Sequence, residues 1–180
     1  MYISEDDAGI YDAMNKGIKK ATGDYIIFIN GGDNFYDETV LEDVFSKSIN
    51  KDIDIITGNV CYEDGQIFYG SYNWCIFIRN TLHHQGTFYR RRLLSLKSYN
   101  TDFSILADYD FNLYCYVSKK KCLIIDRCIS MCAVGGVSQK INIKKTRQES
   151  KVKSQYVNGI VKGILEIVTF SKFIIRKLFG

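Results

Sequence analysis

Asp33 follows a short apolar run and a glycine turn, an arrangement in which proteins bind charged ligands. The run covers residues 25–29, and Asn30-Gly31-Gly32 separates it from the aspartate. Since open α/β sheets bind ligands beyond the carboxyl ends of their strands, we expect Asp33 to lie in such a crevice. A carboxylate there suits a divalent cation, Mg²⁺ or Mn²⁺, which in turn binds the phosphates of a substrate. The alternative is that Asp33 only completes a turn, because Gly-Gly-Asp-Asn is favourable turn sequence.

Asp108 marks a second candidate site. It begins the segment 108–117, which has the spacing of a helix. A carboxylate held at a helix start can accept a proton from a reacting hydroxyl group, and such a general base typically contributes about 10²–10⁴-fold in rate. The alternative is an ordinary helix N-cap, worth about 1 kcal/mol. Asp110 competes for the role of base from a different face of the same helix.

Strands and helices alternate in the first half of the chain, which predicts an α/β domain. Segment 10–22 has helical spacing and ends at Gly23, and segment 25–29 is typical of a central parallel strand. Asp37 is expected to cap a helix over 38–49. The other predicted elements are strands 53–60, 67–69 and 87–89, a hairpin turn at 63–66, helices 90–96 and 108–117, strands 122–125 and 129–133, and a helical region 142–179 loosened near Gly159 and Gly163.

The composition excludes several classes of protein. With 180 residues, 46% hydrophobic and 24% charged, the chain is expected to be globular and to form one domain. Its six cysteines form no C-x-x-C pair, and no histidine stands at zinc-finger spacing, so we expect buried thiols in a reducing compartment. We recognise no signal peptide before the first predicted helix. No nucleic-acid-binding motif is recognisable either, so nucleic acid is not expected as a partner.

The C-terminal region differs from the rest in charge. Residues 140–180 carry 10 basic and 2 acidic side chains, whereas residues 1–139 carry 14 basic and 18 acidic ones. Apolar residues recur over 158–179 between charged ones, a pattern too charged for a membrane span and typical of an amphipathic helix in a membrane interface. We therefore divide the chain into a domain over 1–139 and a basic amphipathic helical tail over 140–180. The tail is expected to bind anionic lipid at a membrane surface, and the alternative is packing on the domain itself.

Several motifs in one order give the chain a family resemblance. They are Gly9-Ile10-Tyr11-Asp12-Ala13-Met14-Asn15-Lys16-Gly17-Ile18, Ala21-Thr22-Gly23-Asp24-Tyr25, Asn30-Gly31-Gly32-Asp33, His84-Gln85-Gly86-Thr87-Phe88-Tyr89-Arg90-Arg91, Ala107-Asp108-Tyr109-Asp110-Phe111 and Gly135-Gly136-Val137-Ser138. Together they resemble the family 2 glycosyltransferases of bacterial surface-polysaccharide synthesis, over residues 4–138. Separate matches in one order are far more specific than any one of them.

This resemblance implies a GT-A fold, a mixed sheet flanked by helices, and inverting, metal-dependent transfer of a sugar from a nucleotide-diphosphate donor to a hydroxyl group. Asp33 matches the last position of the family's Asp-x-Asp-type motif, which binds the metal and the donor diphosphate, and Asp108 matches the catalytic base. Gly31 and Gly32 stand where many members carry another acidic residue. The implied contacts with the donor are Asn15, Asn30, Gly32 and Asp33, and those with the acceptor or diphosphate are His84, Gln85, Asp110 and Ser138.

Simpler roles compete at some of these positions. Asn15 can bond nearby backbone instead, and His84 and Gln85 can be satisfied structural residues. The loop that carries Ser138 can be an ordinary loop or a mobile lid over the donor. The family's two opening strand–helix units, roughly 60 residues at about 30 per unit, have no counterpart in the sequence, so we expect an N-terminally truncated form.

The expected protein is a cytoplasmic glycosyltransferase that is peripheral on the cytoplasmic face of the membrane. Its acceptor would be a sugar hydroxyl of a polysaccharide or of a lipid-linked glycan. The alternative function is a non-catalytic remnant or a membrane-associated binding subunit that keeps the shape of the family.

Overall fold

Strand Ile55–Tyr62 lies at the centre of a mixed sheet, and all but its last residue are buried. The computed structural model describes residues 4–46, 49–135 and 142–179. In these ranges the strands are β1 (Tyr25–Ile26), β2 (Asn34–Phe35), β3 (Ile55–Tyr62), β4 (Ile67–Phe68), β5 (Thr87–Arg90) and β6 (Cys122–Cys132). The helices are α1 (Ile10–Lys20), α2 (Val40–Phe45), α3 (Arg91–Leu96), α4 (Ala107–Val117), α5 (Ile143–Ser154) and α6 (Gly159–Phe179), with 3₁₀ turns at Trp74–Phe77 and His84–Gly86.

The strand order of the sheet is β1-β5-β3-β6-β2, with β4 paired to β3. Strands β3 and β6 are parallel, whereas β5 and β4 run antiparallel to β3. Ile55 lies opposite Tyr89 of β5 and Cys122 of β6. The sheet is therefore mixed, as the family resemblance implies.

Alternate residues of β3 and β5 enter two hydrophobic cores, one on each face of the sheet. Ile55 and Tyr89 pack in the core that also holds residues of α1, α3, α4 and α5. Ile56 and Phe88 pack in the smaller core with residues of α2. Because successive side chains of a strand point to opposite faces, both faces of the sheet need a cover of helices.

Strand β1 is shorter and more exposed than the predicted central parallel strand. It covers Tyr25–Ile26, pairs antiparallel with β5 and stands at one end of the strand order. Within the described residues no strand pairs with its outer edge, and the side chains of residues 25–30 are only half-buried. The apolar run is suited to a strand with neighbours on both sides, and one neighbour is present here.

Two further elements differ from expectation. Helix α2 begins after Thr39, while Asp37 lies two residues earlier, accepts the N–H of Thr39 at 3.0 Å and pairs with Arg127 at 2.6 Å. The strands predicted at 122–125 and 129–133 form the single strand β6. Shifts in register against β3 accommodate the polar residues at 126–127 without ending the pairing. The hairpin turn between β3 and β4, strand β5 and helices α3 and α4 agree with the prediction.

The prediction of six reduced thiols is wrong for two cysteines. Cys61 and Cys128 form a disulfide, with their Cα atoms 6.2 Å apart. The parallel pairing of β3 with β6 explains this contact, because it aligns Asn59 with Cys128 and so brings Cys61 close across the bulge. Sequence spacing alone does not reveal the pair, since 67 positions separate the two cysteines. Cys75, Cys115, Cys122 and Cys132 are free thiols.

Helices α5 and α6 pack against the domain by their inner faces. Val152 of α5 belongs to the core beneath α4. Lys153 of α5 donates from Nζ to Thr169 Oγ1 of α6 at 2.8 Å, and also to the carbonyl oxygen of Ile78 at 2.9 Å. Helix α5 ends at Ser154 and α6 begins at Gly159, one of the two glycines near which the sequence predicts an interrupted helix. Helix α6 continues through the other, Gly163. Of the helices in the described ranges, none combines the length and hydropathy that a membrane crossing requires.

Candidate active site

The Asn30–Asp33 turn holds the carboxylate of Asp33 against the end of β6. The N–H of Asp33 donates to the carbonyl oxygen of Asn30 at 3.1 Å, and Gly32 between them has φ +91°, a conformation that favours glycine. Oδ1 of Asp33 accepts the N–H of Ala133 at 2.8 Å. A contact one hundred positions apart in the chain therefore fixes the direction of this carboxylate.

The buried side chain of Gln85 connects Asp33 to the sheet. Its Nε2 donates to Oδ2 of Asp33, and its Oε1 accepts from Sγ of Cys132 at 3.2 Å. The 3₁₀ turn His84–Gly86 aims this side chain, because Nδ1 of His83 accepts the N–H of Gln85. Both oxygens of Asp33 are thus held by donors, and Gln85 acts as its support.

His84 connects the Asn30 turn to Asp108. Nε2 of His84 lies 3.2 Å from Nδ2 of Asn30, and Nδ1 lies 3.7 Å from Oδ2 of Asp108. The ring also stacks on His83, with 5.1 Å between ring centroids. Burial lowers the pKa of His83 to about 4, so this neighbour is uncharged at neutral pH.

Asp108 lies in the first turn of α4 and is almost fully buried. Its Oδ1 accepts from the hydroxyl of Tyr11 at 2.8 Å, and its Oδ2 accepts from Nδ2 of Asn80 at 3.1 Å. Burial raises the pKa of Asp108, but the imidazole of His84 and the hydroxyl of Tyr11 outweigh burial and hold this pKa below its ordinary value. The group is therefore a carboxylate at neutral pH and can accept a proton.

Asp108 and His84 line a cleft of about 270 Å³. Aromatic side chains of Tyr62 and Phe68 form part of its wall, and residues of α5 and α6 form another part. Asp33 lies outside this lining. Gln85, which donates to Asp33, is the residue next to His84 in the chain. The two aspartates singled out by the sequence therefore belong to one contact network, and Asp108 has access to an open cleft.

Asp110, predicted as an acceptor or diphosphate contact, is not among the residues that line this cleft. It is buried on another face of α4, where its carboxylate pairs with Nζ of Lys97 at 3.2 Å and accepts from the hydroxyl of Tyr156 at 2.8 Å. A step of two residues along a helix turns a side chain to a different face, so Asp108 and Asp110 have different neighbours.

The side chain of Asn15 is engaged by backbone. Its Nδ2 donates to the carbonyl oxygen of Tyr99 and its Oδ1 accepts the N–H of Tyr99, both at 2.9 Å. This pair of hydrogen bonds ties α1 to the segment before α4. Ser138 lies outside the described residues.

Sequence reasoning missed Tyr11 and Asn80 as partners of Asp108. Tyr11 stands within the first of the family motifs, and it faces inward on α1 one turn before Asn15. Asn80 had no signal in the sequence, because it lies within the irregular segment that joins β4 to β5. Only the tertiary contacts of these two residues identify them.

Asp33 fits the role of a cation ligand that substrate phosphates complete. An ionised carboxylate offers about four lone-pair sites, and the two oxygens of Asp33 each accept one hydrogen bond. Mg²⁺ is commonly held by one or two carboxylates, with phosphate and water oxygens supplying the rest. Across the described ranges, no group of three or more His, Cys, Asp and Glu side chains could hold a metal without such help.

The sequence is similar to sequences of known proteins. The family described as Glycosyl transferase family 2 matches residues 2–107. A "PGL/p-HBAD biosynthesis glycosyltransferase" of Mycobacterium bovis is 34% identical over 115 residues, which cover 61% of this chain and 44% of that protein. The chain thus spans less than half the length of this curated relative.

Solved structures of S. aureus TarS share the fold. The structure of TarS 1–349 has a TM-score of 0.62 and 12% identity, covering 91% of this chain and 50% of the other. The same fragment in complex with UDP-GlcNAc has a TM-score of 0.56 and 12% identity, covering 96% of this chain and 63% of the other. The fold is accordingly GT-A-like, with a mixed sheet flanked by helices and a C-terminal helix. Because the family match extends over more than half of its residues, the chain belongs to glycosyl transferase family 2.

Proposed function

We propose that the protein transfers a sugar from a nucleotide-diphosphate donor to an acceptor hydroxyl group, with inversion and with help from a divalent metal. The observation that carries this proposal is one contact network. Gln85 contacts Asp33, and His84 contacts both Asn30 and Asp108. The network joins the accessible carboxylate of Asp33 to the buried carboxylate of Asp108 beside a cleft. Membership of the transferase family supports the reaction class.

The donor would bind at the Asn30–Asp33 turn. TarS, which has the same fold, is known in complex with UDP-GlcNAc, and this supports a nucleotide sugar as donor. Asp33 would hold Mg²⁺ or Mn²⁺, and the ion, when bound, supplies charge that stabilises the departing diphosphate. Gln85 and the N–H of Ala133 keep the carboxylate of Asp33 directed toward that position.

Asp108 would act as the general base. As the acceptor oxygen bonds to the anomeric carbon, the bond from that carbon to the diphosphate oxygen breaks and the hydroxyl proton passes to Asp108. Inversion requires the acceptor to approach from the face opposite the diphosphate. The cleft beside Asp108 suits such an approach, because Asp33 is outside its lining.

Tyr11, Asn80 and His84 would keep Asp108 in position. Tyr11 and Asn80 each donate to one oxygen of Asp108, and both carboxylate oxygens retain capacity to accept a proton. His84 reaches Asp108 and the Asn30 turn with its two ring nitrogens, so it couples the proposed base to the proposed donor site.

We also propose that the outer face of α6 binds a membrane surface. Large apolar side chains are exposed along this face: Ile160, Ile164, Ile167, Ile174, Ile175 and Leu178. The basic excess over residues 140–180 complements anionic lipid headgroups. Binding there would bring a lipid-linked acceptor close to the cleft, which α6 also lines.

The donor proposal is tested by calorimetric titration of UDP with and without Mn²⁺. We expect Mn²⁺-dependent binding to the wild type, loss of it in Asp33→Asn, and no change in Asp24→Asn, which alters an exposed aspartate before β1. Absence of binding to the wild type would favour the non-catalytic alternative. Equal binding to Asp33→Asn would refute the assignment of the metal site.

The membrane proposal is tested by co-sedimentation with vesicles of phosphatidylcholine and phosphatidylglycerol. Ile167→Ser with Ile174→Ser should reduce pelleting, because the apolar face loses two exposed side chains. Leu96→Ser with Ile124→Ser is the matched control, since these exposed apolar residues lie outside α6. Equal pelleting of both double variants and the wild type would dismiss the anchor.

A further inference from the structure

Cationic side chains line the same cleft as Asp108. Arg79 follows the 3₁₀ turn Trp74–Phe77, Lys145 belongs to α5, and Lys172 and Arg176 belong to α6. We call these four residues the cationic wall. The carboxylates that line the same cleft are Asp108 and Glu149, so positive charge is in excess there.

Glu149 offsets only part of the charge of the cationic wall. Its Oε1 accepts from Nζ of Lys153 at 2.6 Å and from Nζ of Lys172 at 2.7 Å, so one carboxylate pairs with two ammonium groups. Among the residues that the structure describes, no carboxylate pairs with the guanidinium of Arg79 or of Arg176. A cleft built this way attracts an anion.

Lys172 fixes the geometry of the cationic wall. Its Nζ donates to the carbonyl oxygen of Ile78 at 2.7 Å, which ties α6 to the segment that carries Arg79. Arg176 follows Lys172 by four residues, and this spacing puts both on one face of α6. Arg79 and Arg176 thereby line the same cleft, and the guanidinium group matches the geometry of phosphate oxygens.

The position of the cleft indicates which substrate carries the anion. Asp108, the proposed base, lines the cleft, whereas Asp33, the proposed ligand of the donor diphosphate, does not. Tyr62 and Phe68 supply aromatic surface in the same cleft, which suits the apolar face of a sugar ring. The anion therefore belongs on the acceptor side of the base.

We propose that the acceptor is a phosphate-bearing glycan whose phosphate group is bound by Arg79 and Arg176. This inference rests on the proposed function, since it takes Asp108 as the base that receives the acceptor proton. The phosphate holds the glycan in the cleft while the hydroxyl group to be glycosylated lies at Asp108. A lipid-linked glycan phosphate and a phosphorylated polymer present the same group.

The test is a calorimetric titration of glucose 1-phosphate, with glucose as the uncharged comparison. Arg79→Gln with Arg176→Gln should weaken glucose 1-phosphate binding by about tenfold or more, because charge-assisted hydrogen bonds to phosphate are lost. Both residues are exposed, so the folded state should survive the change. Lys162→Gln with Lys177→Gln removes the same charge from exposed positions of α6 outside the cleft and should leave binding within about twofold.

A parallel titration of UDP with Mn²⁺ separates the two proposals. Unchanged UDP binding together with weakened glucose 1-phosphate binding supports the acceptor site. If Arg79→Gln with Arg176→Gln abolishes UDP binding instead, the cationic wall serves the donor diphosphate and the inference is overturned. Equal glucose 1-phosphate binding by that variant and the wild type overturns it too. Absence of UDP binding to the wild type would contradict the proposed function, whereas the glucose 1-phosphate titration decides the phosphate site separately.

The source of the phosphate is identified with phosphatidylcholine vesicles that contain either polyprenyl phosphate or polyprenol. Stronger retention of the wild type on polyprenyl phosphate, lost in the double arginine variant, supports a lipid-linked acceptor. Equal retention on both vesicles, with glucose 1-phosphate binding still dependent on the two arginines, supports a phosphorylated polymer.

Discussion

Nδ1 of His84 lies 3.7 Å from Oδ2 of Asp108, while the opposite nitrogen of the same ring contacts Asn30. The imidazole therefore lies between the start of α4 and the turn after β1. It lowers the pKa of Asp108 against the effect of burial, which keeps the carboxylate charged. The side chain of His84 thus links the proposed base to the proposed donor site, although 24 positions separate His84 from Asp108 in the chain.

Asp108→Asn should reduce sugar transfer by about 10²–10⁴-fold, because the amide cannot accept the acceptor proton. UDP binding in the presence of Mn²⁺ should remain, since Asp33 is untouched. The measurement is the initial rate of UDP release from UDP-GlcNAc with isolated bacterial membranes as the acceptor source. Asp64→Asn, in the exposed hairpin turn before β4, is the control for charge removal. A rate of Asp108→Asn within twofold of wild type would rule out the base.

Asn15→Leu should destabilise the fold by about 2–4 kcal/mol, because the N–H and carbonyl groups of Tyr99 lose their partners. Urea denaturation measures the free energy of unfolding. Gln66→Leu, at an exposed position just before β4, should change it little. Loss of UDP affinity in Asn15→Leu without loss of stability would contradict this expectation and support Asn15 as a donor contact.

The free energy of unfolding should fall as the pH falls from 6.5 towards 4 because of His83. Burial lowers its folded-state pKa from 6.5 to about 4, so in this window the unfolded chain binds a proton that the folded chain does not. The loss is on the order of 3 kcal/mol at pH 4 relative to pH 7. His83→Asn, whose side-chain oxygen can still accept the N–H of Gln85, should flatten this part of the profile. Parallel profiles for variant and wild type would contradict the assignment.

Gly70→Ala should destabilise the protein by about 1–3 kcal/mol, as overpacking of a tight contact does. An added Cβ there would contact the carbonyl oxygen of Gly58 and would lie 2.9 Å from Oγ1 of Thr57. Gly17→Ala is the opposite case, because no atom lies within 4 Å of the added carbon and alanine favours helix α1. Thermal unfolding should show a lower midpoint for Gly70→Ala only. A higher midpoint for both would mean that β3 tolerates the extra carbon.

The sequence determined the local features of this protein and its family. Periodicity, glycine stops and turn residues depend on neighbours in the chain, so α1, α3, α4 and the β3–β4 turn were predictable. The motifs around Asp33 and Asp108 likewise identified the family. The same local signals could not show which neighbours Asp110 and Asn15 contact, because those neighbours come from distant segments of the chain.

Tertiary structure alone decided the partners. Tyr11 and Asn80 meet Asp108 from segments 97 and 28 positions away, and Cys61 meets Cys128 only because β3 and β6 are parallel neighbours. The short, half-buried β1 also reflects its position at one end of the strand order rather than its apolar sequence. Such contacts arise from the packing of distant elements, and local propensity does not specify which distant elements meet.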